Sequence, residues 1–565
     1  MLAERIVPGL GTALQPASLH AMIHRSATVA LCGPDTIMNA FAPFLNRLLT
    51  PIVICAAVTF LLQPQVPLAQ APETAFQAAI ESLSPERMVA DIRTLSGPAF
   101  NGRQAGTNSD LESAQWVAQE FLSAGLRLTR VHNGSLIVPF FTGKDGTSSG
   151  AMATRVPTPV LTPDPIVRVG ATDHLITKTL GLDYLPIFDS PSAEIQAPVV
   201  FVGYGIVDAA QHIDDYAGVD VNNCIVLFLR GKPEYYAQAV SHADKVRYAR
   251  ERGAIGYLTA TGPILHPYEI RRGVTGGASA FYGQLPQDQA IPGAWISTAL
   301  AQELLQESDG TGSDRLRVFQ ERLNQSTSSH AIKTDRFVSL QWKTTTEDGL
   351  LINVLGMIPG TGPETVIIGA HRDHFGRPGG ILFPGADDNA SGTAVIVEVG
   401  RALAKLERRP SRTILFVSFS GEERDMLGSR LYTSRPVLPL SLTKAMINID
   451  HAGVGNARLT VGVTGIEKDI AFEAGQSAGV KERLDLYGFF PGGDHVPFKE
   501  AGVPTITVVS GGVHPHFHQP TDNADTIDPK ILKAASQFVL ALTWHLAYGS
   551  TDTGGESSTM SPLPQ

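Results

Sequence analysis

Between Leu351 and Tyr548 the chain follows one pattern: a short, wholly apolar run, a turn bearing acids or histidines, then a stretch with helical spacing. The runs are TVIIGA, TILFVSF, KAMINID and TITVVS, and the clearest helical stretch is SGTAVIVEVGRALAKL. An apolar strand without polar alternation must be covered on both faces, as happens in a parallel sheet flanked by helices. The expected fold class is therefore α/β: a mostly parallel twisted sheet covered by helices on both faces. In such sheets ligands bind beyond the carboxyl ends of the strands. The residues that follow each run are therefore where chemistry is expected.

Those residues are unusually uniform in type. His371-Arg372-Asp373-His374 follows TVIIGA, and a glycine-rich turn then leads to Asp387-Asp388-Asn389. Ser420-Gly421-Glu422-Glu423 follows TILFVSF, KAMINID ends in Asp450-His451, and GGVHPHFHQPTDNAD supplies His514, His516, His518 and Asp522. Imidazoles and carboxylates without thiolates suit zinc, and a carboxylate able to bridge suits two zinc ions. Two dications sharing a water lower its pKa toward neutrality. Of two adjacent glutamates, one is free to bind metal while the other faces that water as a base. Asp388 also stands where a helix beginning near Ser391 needs an N-cap, a role compatible with metal binding.

Composition removes several alternatives. With 54 acidic against 44 basic residues and a net charge of −10, the chain has no basic excess to displace phosphate counterions, so no nucleic-acid partner is expected. Its 565 residues, 43% hydrophobic and 17% charged, supply a large core. Cys32, Cys55 and Cys224 are too few for a disulfide framework or a thiolate-rich metal site. No H-E-x-x-H occurs, which excludes a thermolysin-like centre. The string Gly146-Thr147-Ser148-Ser149-Gly150 lacks the strand before and helix after that a nucleophile elbow requires.

Residues 1–71 read as a leader. Arg47 precedes an uncharged, mostly apolar stretch from Leu48 to Leu62, and small residues follow at Ala69 and Ala71. That stretch is shorter than the ~20 residues a spanning helix needs and matches a secretory signal. Residues 1–37 make the leader overlong, and a start at Met38 gives an ordinary length. A secreted or periplasmic protein without a stable membrane span is expected, a retained anchor being the alternative. Residues 72–196 form the first part of the catalytic domain, with a Ser84-Pro85-Glu86 helix start and a helix ending around Gly125. A β-rich unit with one or two helices follows over 197–330, the catalytic domain resumes over 331–548, and 549–565 form a disordered tail.

Val199–Gly205, Cys224–Gly231 and Gly253–Tyr257 resemble the protease-associated (PA) domain, a non-catalytic insert of several peptidase families. AHRDH, PGADDNASGTA, SFSGEE, INIDHAG, GGDHVPF and FHQPTD resemble the motifs of the co-catalytic di-zinc aminopeptidases, whose relatives include glutamate carboxypeptidase, the transferrin receptor and glutaminyl cyclase. The resemblance runs from about Ser84 to Tyr548. It implies an exported aminopeptidase that hydrolyses N-terminal residues of peptides with two zinc ions per chain, a metal-bridged hydroxide and a glutamate general base. His371 and Asp450 would bind one metal, Glu423 and His518 the other, and Asp388 both. Asp373 would orient the His371 ring, Glu422 would be the base, and His495 would stabilise the oxyanion. Asp387, His374 and Asp522 are read as support behind the ligands, and His514 and His516 compete with His518.

Two positions depart from the family pattern: Asp425 where glycine is usual and His451 where methionine is usual. Alternatives within the fold are a carboxypeptidase, which needs arginines such as Arg372 or Arg424 to hold an α-carboxylate, and a single-zinc glutaminyl cyclase. A non-catalytic receptor-like homologue is the alternative outside enzymes. The preferred residue and the oligomeric state have no signature in the sequence.

Overall fold

The computed structural model describes residues 72–127, 137–142, 148–265, 269–270, 273–286, 288–306, 314–489 and 491–549. The leader expected over 1–71, with Cys32 and Cys55, and the tail beyond Gly549 lie outside the described residues. Nine strands form the main sheet: β1 Ile137–Thr142, β2 Ser148–Leu161, β3 Thr344–Ile358, β4 Thr365–His371, β5 Thr413–Phe419, β6 Thr443–Ile449, β7 Leu459–Thr464, β8 Leu484–Tyr487 and β9 Thr505–Ser510. Their order is β1-β2-β3-β5-β4-β6-β9-β7-β8. The four apolar runs are its mutually parallel centre, β5, β4, β6 and β9, while β1–β3 and β7 join antiparallel. The sheet is thus mixed, parallel where the site lies. Ser148 opens β2 rather than a nucleophile elbow.

The missing alternation in the central strands has its counterpart in packing. In β4, Val366, Ile368 and Ala370 pack on one face while Ile367 packs on the other. In β5, Ile414 and Phe416 oppose Leu415, Val417 and Phe419. Each such side chain, fully buried, contributes roughly 1.5–3 kcal/mol. The helices Pro85–Leu95, Asn108–Ala124, Gly392–Leu403 and Pro529–Tyr548 cover the first face, and Leu427–Ser434 with His495–Glu500 cover the second. Ser84 caps the first helix by accepting from the Arg87 amide at 3.2 Å, with Pro85 in its first turn. Gly125, at φ 90°, closes Asn108–Ala124 at the expected place.

Leu161 at the end of β2 lies opposite Thr344 at the start of β3, so the chain leaves the sheet and returns at one point. Between them a second sheet of eight strands runs from Ile166–Ala171 to Ile332–Trp342. It contains the expected runs as Ala193–Phe201, Ile225–Leu229 and Gly256–Ala260, with the helix His242–Glu251 held by a Ser241/Asp244 capping box. This unit is wider than 197–330 because Ile332–Trp342 pairs with both Ala193–Phe201 and Ile166–Ala171. Those two strands, Ile166–Ala171 and Ile332–Trp342, are only partly buried, so their sequences lack the continuous apolar signal. Cys224 is a buried free thiol within this unit. Among the described residues, no helix is long and apolar enough to cross a membrane.

Candidate metal centre

Most residues singled out in the sequence follow the end of a central strand. His371 is the last residue of β4, Glu422 and Glu423 follow β5, Asp450 follows β6, and the segment bearing His518 follows β9. Asp388 lies in the turn leading into Gly392–Leu403. That turn needs glycine at Gly385, where φ is +60° and a Cβ would come within 2.4 Å of the Asp388 carbonyl and 2.5 Å of the His374 ring. The side chain that accepts from the helix's first amide is that of Asn389 rather than Asp388: Asn389 Oδ1 accepts from the Gly392 amide at 2.8 Å. Asp388 is left with its carboxylate facing the site.

The candidate donor atoms fall into two sets that share one carboxylate. His371 Nε2 is 3.5 Å from Asp388 Oδ1 and 3.4 Å from Asp450 Oδ1. On the other side, His518 Nε2 is 3.2 Å from Asp388 Oδ2 and 3.6 Å from Glu423 Oε2. Two donors at tetrahedral angles around one zinc, each about 2.0–2.2 Å from it, stand about 3.3–3.6 Å apart. Three of the four distances fall in that range, and the fourth, His518 to Asp388 at 3.2 Å, lies just below it. His371 Nε2 and Asp450 Oδ1 are, moreover, buried with no hydrogen-bond partner. Asp387, Asp388, Glu422, Glu423 and Asp450 crowd into this region, and buried charge of one sign requires compensation. Nitrogen and oxygen donors, shared carboxylate and excess negative charge all fit zinc.

Electrostatics show the same demand. Burial lifts Glu422 to about 8, with His371 opposing the rise and Asp450 adding to it. Burial and then the neighbouring Asp388 and Glu422 carboxylates hold Glu423 well above its usual range. Burial works against charge on His451, yet Asp388, Asp450 and Asp387 raise it to about 10.

Behind the ligands, hydrogen bonds fix each one. The Asp373 carboxylate accepts from the Glu422 amide at 3.2 Å and lies 3.6 Å from His371 Nδ1, while its backbone carbonyl lies 3.2 Å from the same nitrogen. It therefore orients both the imidazole and the glutamate turn. His374 Nδ1 lies 2.7 Å from Glu423 Oε1, a hydrogen bond too short for two ligands of one ion, and leaves Oε2 to face His518. Asp522 accepts from the Asp387 and Asp388 amides at 2.9 and 3.1 Å. His518 Nδ1 lies 3.0 Å from the Ala280 carbonyl of the second sheet's domain, which leaves Nε2 to the site. His514 instead pairs with Asp387 Oδ2 at 2.6 Å, and exposed His516 lies 2.9 Å from Thr521 Oγ1. Of the three competing histidines, only His518 meets Asp388 and Glu423. His495 belongs to neither ligand set: its ring packs 5.8 Å from that of Phe489, next to Gly493 on the cavity wall.

Several residues that set this geometry were not singled out from sequence. Arg103 is fully buried and donates to the carbonyls of Leu95, Arg372, Pro384 and Gly385. Asp110, also fully buried, pairs with Arg372 at 2.6 Å and accepts from Ser420 Oγ at 2.7 Å. Arg372 is thereby locked beneath the site, and Arg424 donates to the Pro157 carbonyl at 2.6 Å. Neither arginine lines the cavity above the ligands. That cavity, about 640 Å³, has aromatic walls from Phe281, Tyr282, Phe375, Phe489 and Phe517. Its described lining includes the carboxylates of Asp388, Glu422, Glu423, Asp425 and Asp450 and no lysine or arginine.

Residues 353–543 match Peptidase family M28. Aminopeptidase YwaD of Bacillus subtilis is 30% identical over 194 residues, which are 32% of this chain and 41% of that protein. A probable leucine aminopeptidase of Arthroderma otae is 29% identical over 215 residues, 35% of this chain and 58% of that protein. The chain thus spans about half the length of these curated relatives. Among solved structures, the aminopeptidase from Aneurinibacillus sp. strain AM-1 superposes with a TM-score of 0.59 at 20% identity, covering 86% of this chain and 98% of that one. BSAP, a zinc aminopeptidase from Bacillus subtilis, gives 0.54 at 20% identity, covering 82% and 95%. These likenesses establish the fold.

Proposed function

From the premise that residues 353–543 belong to Peptidase family M28, we propose that the chain is an exported zinc-dependent aminopeptidase that removes N-terminal residues from peptides. The observation that carries this reading is the shared Asp388 carboxylate, whose two oxygens face two donor sets with zinc-ligand spacing. In this reading His371 and Asp450 hold one zinc, Glu423 and His518 the other, and Asp388 both. Bound zinc supplies Lewis acidity, acidifying water and polarising the scissile carbonyl.

The chain's own residues do the rest. Glu422 Oε2 lies 3.9 Å from His371 Nε2 and opens onto the cavity, the place from which a carboxylate takes a proton from water and returns it to the leaving amine. Asp373 holds the Glu422 amide at 3.2 Å, so that this proton is handled at a fixed position. His495, beside Gly493, is the candidate donor to the developing oxyanion. The acidic lining supports the choice of terminus: a free α-amine is attracted by carboxylates such as Glu422 and Asp425, whereas the described lining has no lysine or arginine to hold an α-carboxylate. The aromatic walls favour a neutral, apolar first residue. The second sheet is read as a PA-type insert that shapes access, and export rests on the apolar stretch Leu48 to Leu62.

Leucine p-nitroanilide and its N-acetylated analogue test the reading. Chelator-sensitive cleavage of the free-amine substrate alone is expected, with two metals per chain. Cleavage of both, or of C-terminal residues only, would refute it. Glu422→Gln retains its metals and loses about 10²–10⁴-fold in kcat.

A further inference from the structure

A third imidazole faces the shared carboxylate. His451 follows Asp450 directly, and along regular extended backbone the two side chains would point to opposite sides. Instead His451 has φ +48°, in the left-handed region, and its ring faces the same centre as Asp450. Its Nε2 lies 3.7 Å from Asp388 Oδ2 and 3.8 Å from Asp450 Oδ1, one carboxylate oxygen from each donor set. The other metal-facing histidine of the loops, His518, is also left-handed, at φ +55°. Backbone in that region costs of order 1 kcal/mol for a residue with a side chain, and such outliers cluster where function fixes geometry.

The far side of the ring decides which nitrogen is available. His451 Nδ1 is 3.3 Å from Asp387 Oδ2, an acceptor only, so Nδ1 carries the hydrogen that it donates there. Asp387 is itself fixed: Oδ1 accepts from the Gly453 amide at 2.8 Å, and Oδ2 is 2.6 Å from His514 Nδ1. His514 Nε2 in turn lies 3.0 Å from the Ser510 carbonyl. The ring is further held between His514 and Phe517, with centroids 5.1 and 5.5 Å away. A carboxylate–histidine pair of this kind presents the opposite nitrogen as a metal donor. Nε2 stands beyond hydrogen-bond distance from both carboxylate oxygens, leaving room for a cation among the three.

We propose that His451 is a further protein ligand of the dinuclear centre, oriented by Asp387. The inference rests on the reading that Asp388 joins two metal positions. It also gives Asp387 a role distinct from that of Asp388: Asp387 holds a ligand rather than a metal.

The test replaces zinc with cobalt(II) in the full chain and counts exchangeable imidazole N–H resonances shifted by the paramagnetic ions. Three are expected, from His371, His451 and His518, falling to two in His451→Gln. Chelator competition should show metal bound at least tenfold more weakly in that variant. Two shifted resonances in the unaltered protein, or unchanged affinity in the variant, overturn the proposal, and the first result needs no variant to fold. Fewer than two metals bound by the unaltered chain refutes the dinuclear reading instead, so the two failures are distinct.

Discussion

Arg103 offers the sharpest quantitative test of how the centre is held. Its guanidinium is fully buried and donates to the carbonyls of Arg372 at 2.5 Å, Leu95 at 2.6 Å, Gly385 at 2.7 Å and Pro384 at 2.8 Å. One side chain thus ties the residue after His371 to the turn carrying Asp388. Hydrogen bonds from a charged donor contribute about 1.5–3 kcal/mol each. Part of that sum is offset by burial of the guanidinium, which draws its pKa down to about 10. Arg103→Met keeps much of the volume, leaves the carbonyls without this donor, and should cost about 4 kcal/mol. Because Arg103 has φ +53°, the backbone adds a second signature: Arg103→Gly should exceed Arg103→Ala in stability by about 1 kcal/mol. Hydrogen exchange of β4 and β5 amides under native conditions isolates the main sheet from the second one. A loss below about 1 kcal/mol in the Met variant, or equal stability of the Ala and Gly variants, would refute this account.

Other expectations are more direct. His518→Ala should reduce bound metal from two equivalents to one by elemental analysis, while His516→Ala, whose side chain is exposed beside Thr521, should retain both. Gly273→Val places a Cβ 1.6 Å from the His514 carbonyl, and should speed exchange of amides in 514–519 and weaken metal binding. Burial, followed by Lys245 and Arg230, lowers His242 to about 3. Its stabilising contribution is therefore full above the unfolded value near 6.5 and declines as pH falls toward 3. Urea unfolding of the second sheet between pH 7 and 4 should show that slope, and His242→Gln should flatten it.

The central strands and the cluster of acids and histidines were legible for one physical reason: burial on both faces and the proposed metal coordination each demand a narrow choice of residue types. Val366–Ala370 could satisfy the sheet only by being apolar throughout, and the five proposed ligand positions from distant loops each carried an acid or a histidine. Where demand is weaker, sequence is quieter. Ile332–Trp342 is half-buried and pairs with strands on both sides, so its place in the second sheet leaves little trace in its pattern. Arg103 and Ala280 act on or through backbone carbonyls, which every residue possesses, and nothing in the partner's identity marks the contact. His451 stood out as an unusual residue, but its direction depends on one left-handed torsion.

The adjoining chain ends at Leu161 and Thr344 make the second domain look detachable, since a short splice would join them. The bond from His518 to the Ala280 carbonyl argues otherwise. Excision would preserve the scaffold yet leave one imidazole without its anchor, and a minimised chain would need a replacement acceptor engineered at that spot. Covalent modularity and chemical independence are different properties here: this appendage can be cut free on paper, but its loop remains part of the machinery it appears merely to shelter.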